Sequence, residues 1–163
     1  MIKIFTTGGT IDKIYFDQKS EFQVGEPQIT QLLSEANICF DYEIESILRK
    51  DSLDMTAADR ELIAERIKAD PAEKILITHG TDTMIDTAHR LAKSISGKSI
   101  VLVGSMQPAR QRASDAEFNI GFAIAALQLL GQGVWIAMNG QVFTPEQVQK
   151  NVALNRFESR LKD

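Results

Sequence analysis

The chain has 163 residues, 44% of them apolar and 25% charged, with a formal net charge of -4. That length suits one domain with a real core, and a negative balance with scattered Lys and Arg argues against nucleic acid as a partner. Cys39 is the only cysteine, so no intrachain disulfide is possible, and two histidines beside it are too few for a zinc site; no metal and no cofactor are expected.

Ile2–Thr6 reads as a strand and runs into "TTGGTID", Thr6 to Asp12, where two adjacent glycines sit among three threonines. Lys13–Phe16 reads as a short second strand. The polar segment that follows, Asp17 to Gly25, is long enough to be a mobile loop over whatever Thr6–Asp12 builds. Pro27 fits the first position of a helix, and Ile29, Leu32, Leu33 and Ala36 then follow at helical spacing. Cys39, between Ile38 and Phe40, reads as a small buried hydrophobe. Tyr42–Leu48 alternates like a strand. Thr56 with Asp59 resembles a capping box, and the helix it starts ends before Pro71.

Lys74–Thr78 is the next strand. Met84, Ala88, Leu91 and Ile95 mark one face of a helix that Gly97 closes. Ser99–Val103 is a strand, Asp115 to Leu130 an apolar helix closed by Gly131, and Val134–Met138 a fifth main strand. Thr144-Pro145-Glu146 then begins a short helix expected to carry Lys150. No apolar run approaches the roughly 18 residues of a membrane span, and Met1 leads into a strand with no signal-peptide pattern. A cytoplasmic protein without membrane contact is expected.

Alternating strands and helices with short links predict the α/β class, a mostly parallel sheet with helices on both faces, in a single domain over residues 1–163. Ligands in such sheets bind beyond the carboxyl ends of the strands. Thr6–Thr10, Asp51–Asp54, Thr78–Thr83 and Gly104–Pro108 all sit at such ends, so these four loops should converge on one crevice.

Gly8 and Gly9 allow positive φ and close backbone approach, and their amides can face an anion or a developing oxyanion. The spacing is neither a dinucleotide fingerprint nor a Walker A loop. In "HGTDT", Thr81 and Asp82 put a hydroxyl and a carboxylate on one rim; the plainer reading is that Thr81, Asp82 or Thr83 caps the next helix. His79, which closes a buried strand, reads as a hydrogen-bonded structural residue before it reads as a base. Threonine is a weak nucleophile that needs a base. Lysine can be that base if burial and nearby cations lower its pKa, and Lys150 is the candidate.

"TTGGTID", "HGTDTM" and "GSMQPA", in that order and in those strand contexts, resemble the bacterial-type L-asparaginase family. The resemblance covers nearly the whole chain but only the amino-terminal, flavodoxin-like domain of a typical member; the family's smaller second domain is not in this sequence. It implies hydrolysis of L-asparagine, or a related small carboxamide, to the acid and ammonia through a threonine acyl-enzyme. Thr10 matches the primary nucleophile, and Thr81, Asp82 and Lys150 match a hydrogen-bonded triad. Ser52 matches the residue that holds the substrate α-carboxylate, Asp82 would pair with the α-ammonium, and the carbonyl of Ser105 would accept from the side-chain amide. Amides at Gly9–Thr10 and Thr81 would face the oxyanion.

The sequence departs from the family at two positions. Phe22 stands where the mobile loop usually carries a tyrosine, with Tyr15 nearby as the substitute hydroxyl, and Leu53 follows Ser52 in place of a glutamine. The alternative to an enzyme is a non-catalytic amino-acid-binding or regulatory module on the same pocket. A homodimer or larger assembly is expected, because a lone domain leaves its crevice open and Asn119–Leu130 is apolar around most of its circumference.

Overall fold

A computed structural model describes residues 1–160. In chain order the elements are β1 (Ile2–Gly8), β2 (Lys13–Phe16), β3 (Glu21–Val24), α1 (Ile29–Glu35), β4 (Tyr42–Lys50), α2 (Ala57–Ala69), β5 (Lys74–Thr78), α3 (Met84–Ser94), β6 (Ser99–Val103), α4 (Ala116–Leu129), β7 (Gly133–Met138), β8 (Gln141–Phe143), β9 (Val148–Asn151) and β10 (Arg156–Ser159). Short 3-10 turns follow β1, at Thr10–Asp12, and β4, at Ser52–Asp54.

Six strands form one sheet in the order β4-β1-β5-β6-β7-β8. The first five run parallel, and β8 turns back antiparallel on β7. Every residue of β1 and β6 is buried, so both faces of the central strands are covered, as parallel sheets require. Helices α2 and α3 pack on one another, while Leu32 and Leu33 of α1 face Ile120 and Ile124 of α4 across a groove. The strand order reverses at β1, whose neighbours are β4 on one side and β5 on the other, and the crevice opens beyond their carboxyl ends. Helix α2 begins with a complete capping box, Thr56 and Asp59 each bonding the other's backbone amide. Among the described residues no helix is long and apolar enough to cross a membrane.

Four sequence expectations are corrected. Asp17–Gly25 is not a bare loop: β3 pairs antiparallel with β2, Tyr15 opposite Phe22. Its signal was weak because this ribbon stands off the main sheet with both faces half-exposed or exposed. Pro27 precedes α1, which starts at Ile29 after Gln28. Cys39 is exposed: in the link into β4, Ile38 and Phe40 pack partly buried against the core and the residue between them turns out. Lys150 lies on a strand: the 3-10 turn Pro145–Gln147 ends before it, and β9 pairs with β10 so that Lys150 faces Phe157. Phe157 is fully buried, and its amide donates to Asn139 Oδ1 at 2.8 Å, which pins this ribbon to the β7–β8 turn.

Candidate active site

The crevice is assembled by backbone contact between motifs. Gly9 has φ +93°, and a Cβ there would lie 2.4 Å from both Cα and N of Gly80. A Cβ on Gly80 would in turn lie 2.6 Å from Cβ and Oγ of Ser52. The loops after β1, β4 and β5 are therefore stacked glycine on glycine on serine, closer than any side chain permits. One amide considered for the oxyanion is engaged: Gly9 N donates to Lys50 O at 2.9 Å, so Gly9 serves close packing and not anion binding. Outside the helices and strands, no backbone carbonyl among the described residues accepts from the amides of Thr10 or Thr81.

Lys150 reaches this point from the far end of the chain. Its Nζ donates to Thr81 Oγ1 at 2.8 Å and to Asp82 Oδ1 at 2.7 Å. The lysine side chain is 17% exposed and the aspartate 41%, so the pair straddles the crevice rim, with Thr81 buried beneath. The capping reading of "TDT" fails: Thr83 is at the N-cap of α3, but its hydroxyl donates to Ser52 O at 2.8 Å and caps nothing. That bond fixes the Ser52 turn against the β5 loop. The Ser52 hydroxyl itself is buried and has no hydrogen-bond partner among the described residues.

Beside it, Asp51 accepts from Lys13 Nζ at 2.6 Å and from Leu53 N at 3.1 Å. Burial pushes the Asp51 carboxyl up, but Lys13, the Leu53 amide and the positive field of Lys150 together hold it below the usual carboxylate range. A second cation thus meets the crevice, from the β2–β3 ribbon.

Ser105 is buried, and its hydroxyl donates to Gln107 O at 2.5 Å. The loop around it is held by two residues of α4's first turn and its cap, which the sequence reading missed. The Asp115 carboxylate accepts from Met106 N at 2.9 Å, from Gln107 N at 3.0 Å and from Asn119 Nδ2 at 2.9 Å. Asn119 Nδ2 also donates to Gly104 O at 3.0 Å. An Asp and an Asn four residues apart, straight after a Ser/Pro-rich loop, were the available signal.

Thr10 opens the first 3-10 turn at the mouth of the crevice, and its hydroxyl makes no side-chain hydrogen bond among the described residues. Tyr15 is not brought to it. The ring is 52% exposed and lies edge-on to Phe22, 5.4 Å between centroids. At the root of the ribbon, Asp12 is buried and accepts from Gln28 N at 2.9 Å. Burial pushes its carboxyl up to about 7, against the downward pull of the Gln28 amide and Arg49. His79 is fully buried and, by that burial, has its pKa pulled down to about 4, which makes it a neutral structural group and not a base at ordinary pH.

The asparaginase N-terminal family model matches residues 1–160. The probable periplasmic L-asparaginase of Haemophilus influenzae is 32% identical over 97% of this chain and 49% of its own length. The thermostable L-asparaginase from Thermococcus kodakarensis superposes with a TM-score of 0.85 at 28% identity, covering 97% of this chain and 50% of that one. The probable cytoplasmic L-asparaginase from Campylobacter jejuni gives 0.81 at 30% identity, over 97% and 52%. The chain thus spans about half the length of these relatives.

Proposed function

This chain belongs to the asparaginase family, and from that premise we propose that it hydrolyses L-asparagine, or a related small carboxamide, to the acid and ammonia through a threonine acyl-enzyme. The observation that carries the reading is Lys150 Nζ bonded at once to Thr81 Oγ1 and Asp82 Oδ1, 69 and 68 residues away in sequence. A lysine, a buried hydroxyl and a carboxylate in line form a path along which a proton can leave a hydroxyl and return to a leaving group.

In this proposal the Thr10 hydroxyl attacks the amide carbon. Thr10 is chosen because its hydroxyl is not engaged and it stands beside the Thr81 group across the Gly9–Gly80 contact. The oxyanion is met by the amides of Thr10 and Thr81. Ammonia departs with a proton relayed through Thr81 and Lys150, and water cleaves the ester. Asp82 gives Oδ1 to Lys150 and keeps Oδ2 for the substrate α-ammonium. The buried, unpartnered hydroxyl of Ser52 suits the α-carboxylate, and the Ser105 carbonyl accepts from the carboxamide nitrogen.

Ammonia release from a panel of L- and D-asparagine and glutamine tests the reading. No ammonia from any of them, with the protein folded, would sink it.

A second reading is a pocket that binds the amino acid without turnover. One observation favours it: Tyr15 stays on Phe22, away from Thr10. Calorimetric binding of asparagine without ammonia would select it. We also propose a homodimer or larger assembly that covers the crevice, for which a light-scattering mass near 18.1 kDa in active protein is the refuting result. A cytoplasmic setting completes the proposal and is open to test by cell fractionation.

A further inference from the structure

We propose that His79 is a positioning residue for the reaction above: held in its Nδ1–H tautomer, it grips the Gly80 carbonyl and so aims the Thr81 amide into the crevice. The inference rests on the reading that the Thr81 amide meets the oxyanion. The imidazole lies at the end of β5 between two partners, with Nδ1 2.8 Å from Gly80 O and Nε2 2.8 Å from Thr87 Oγ1. A carbonyl oxygen can only accept, so Nδ1 must carry the proton. The ring is neutral: burial drives its pKa down, the Gly80 contact raises it, Arg60 lowers it and Asp86 raises it, and about 4 is the balance. A neutral ring with its proton on Nδ1 has only a lone pair at Nε2, which takes the hydroxyl proton of Thr87. Both nitrogens are satisfied in one tautomer and in no other.

What the grip does follows from peptide geometry. The Gly80–Thr81 bond is trans, so the Thr81 N–H points away from the Gly80 carbonyl. Drawing the carbonyl toward the imidazole leaves the N–H on the side away from the buried ring, and no backbone carbonyl outside the helices and strands of the described residues accepts from it. His79 is fully buried and its own backbone is held on both sides. His79 N donates to Val103 O at 2.9 Å, and a Cβ on Gly104 would lie 2.3 Å from His79 O. Glycine at position 80 has the widest backbone freedom of any residue; the Gly9 and Ser52 contacts confine its Cα, and the imidazole adds the anchor on its carbonyl. The histidine thus acts on the reaction through a backbone group and never touches substrate.

Two measurements need no activity. Long-range proton–nitrogen NMR of the folded protein at pH 7 should find the His79 proton on Nδ1; a proton on Nε2 overturns the proposal. The Thr81 amide should exchange with solvent fast, as a crevice-facing N–H does, and protection at the level of the β5 amides would overturn it equally. The third measurement is kinetic. His79→Leu should lower kcat on the order of 10²-fold, the cost of losing one oxyanion donor, with KM within about threefold of wild type. His79→Asn, whose Nδ2–H can reach the Gly80 carbonyl, should recover most of that loss. A folded His79→Leu protein with wild-type kcat, or equal losses in the two variants, refutes the role. If His79→Leu does not fold, the tautomer and exchange results decide. A wild-type protein that releases no ammonia counts against the amidohydrolase reading, and these two measurements still judge the histidine.

Discussion

On one bank of the crevice the polar groups are tied, the Ser52 hydroxyl apart. Lys150 bonds Thr81 and Asp82, Thr83 bonds the Ser52 carbonyl, and Asp115 with Asn119 holds the Ser105 loop. On the other bank stands the β2–β3 ribbon, with Tyr15 edge-on to Phe22 in the open. It is joined to the body by the Lys13–Asp51 ion pair and by the backbone around Asp12 and Gly25. Thr10 lies at the junction. The first bank is preorganised by the sheet, because its loops at Ser52, Thr81 and Ser105 leave parallel strands at a fixed 4.8 Å or so from one another, and Lys150 joins them from a ribbon anchored by the buried Phe157. The second bank has no such template, so its position is a matter of a few side-chain contacts. In the proposed mechanism, chemistry that needs fixed distances falls to the first bank and movement that admits substrate to the second.

The largest test of this contrast breaks the fixed bank. Thr81→Val, Lys150→Met and Thr10→Val should each lower kcat for asparagine by at least about 10³-fold, as loss of a covalent or proton-transfer group does. Steady-state ammonia release on folded variants measures it, and near-wild-type turnover in any one removes that residue from the mechanism.

A smaller blow strikes the packing that assembles the bank. Gly80→Ala puts a methyl 2.6 Å from Ser52 Cβ and should cost about 2 kcal/mol or more of stability by overpacking. Denaturant unfolding reads this, and an unchanged midpoint would mean that the three loops are not in rigid contact.

Asp12, at the root of the ribbon, offers a pH test. Its folded pKa, about 7, lies above its ordinary 3.8. The folded state therefore binds the proton more tightly, and stability is fullest below about pH 4 and declines as pH rises through about 7. Asp12→Asn should be more stable than wild type by about 1–2 kcal/mol at pH 8. That is below the ceiling of about 4 set by the whole shift, because the charged carboxylate also binds the Gln28 amide more strongly than an amide oxygen does. The gap should shrink as pH falls through about 7 and change sign before about pH 4, because the whole shift exceeds it. Thermal melts of both proteins across that range would show it, and a gap independent of pH would contradict it.

The smallest effect is expected at the exposed bank. Tyr15→Phe should change kcat/KM by less than about tenfold, since its hydroxyl contacts no site residue here. A loss on the scale of Thr10→Val would show that the ribbon folds onto Thr10 during turnover and would erase the contrast between the banks.

The elements that read most plainly in sequence are those buried on both sides. Lys74–Thr78 and Ser99–Val103 were legible to the residue, because a central parallel strand is an unbroken apolar run and has one interpretation. The Thr56 cap was equally clear, its two partners being three residues apart. β3, Cys39 and the strand that carries Lys150 were misread because their states depend on partners elsewhere: a ribbon mate, the core beside the link into β4, and Phe157 opposite Lys150. The convergence of the four loops followed from strand polarity alone, and so did the idea that Thr10, Thr81 and Ser52 share a crevice.

What local pattern cannot carry is any contact between chain segments of unrelated spacing. The sequence by itself determined the α/β class, the end of the strands where the polar loops gather, and which residue types are present there, since periodicity and strand-end polarity are short-range properties. Tertiary structure alone decided that Gly9 and Gly80 meet for packing and that the Gly9 amide is engaged by Lys50. It also decided that Thr83 serves Ser52 and not its own helix, and that His79 Nδ1 lies against the Gly80 carbonyl. Each of these is a choice between hydrogen-bond partners of the same chemical kind, and only the folded geometry says which partner is within 3 Å or so.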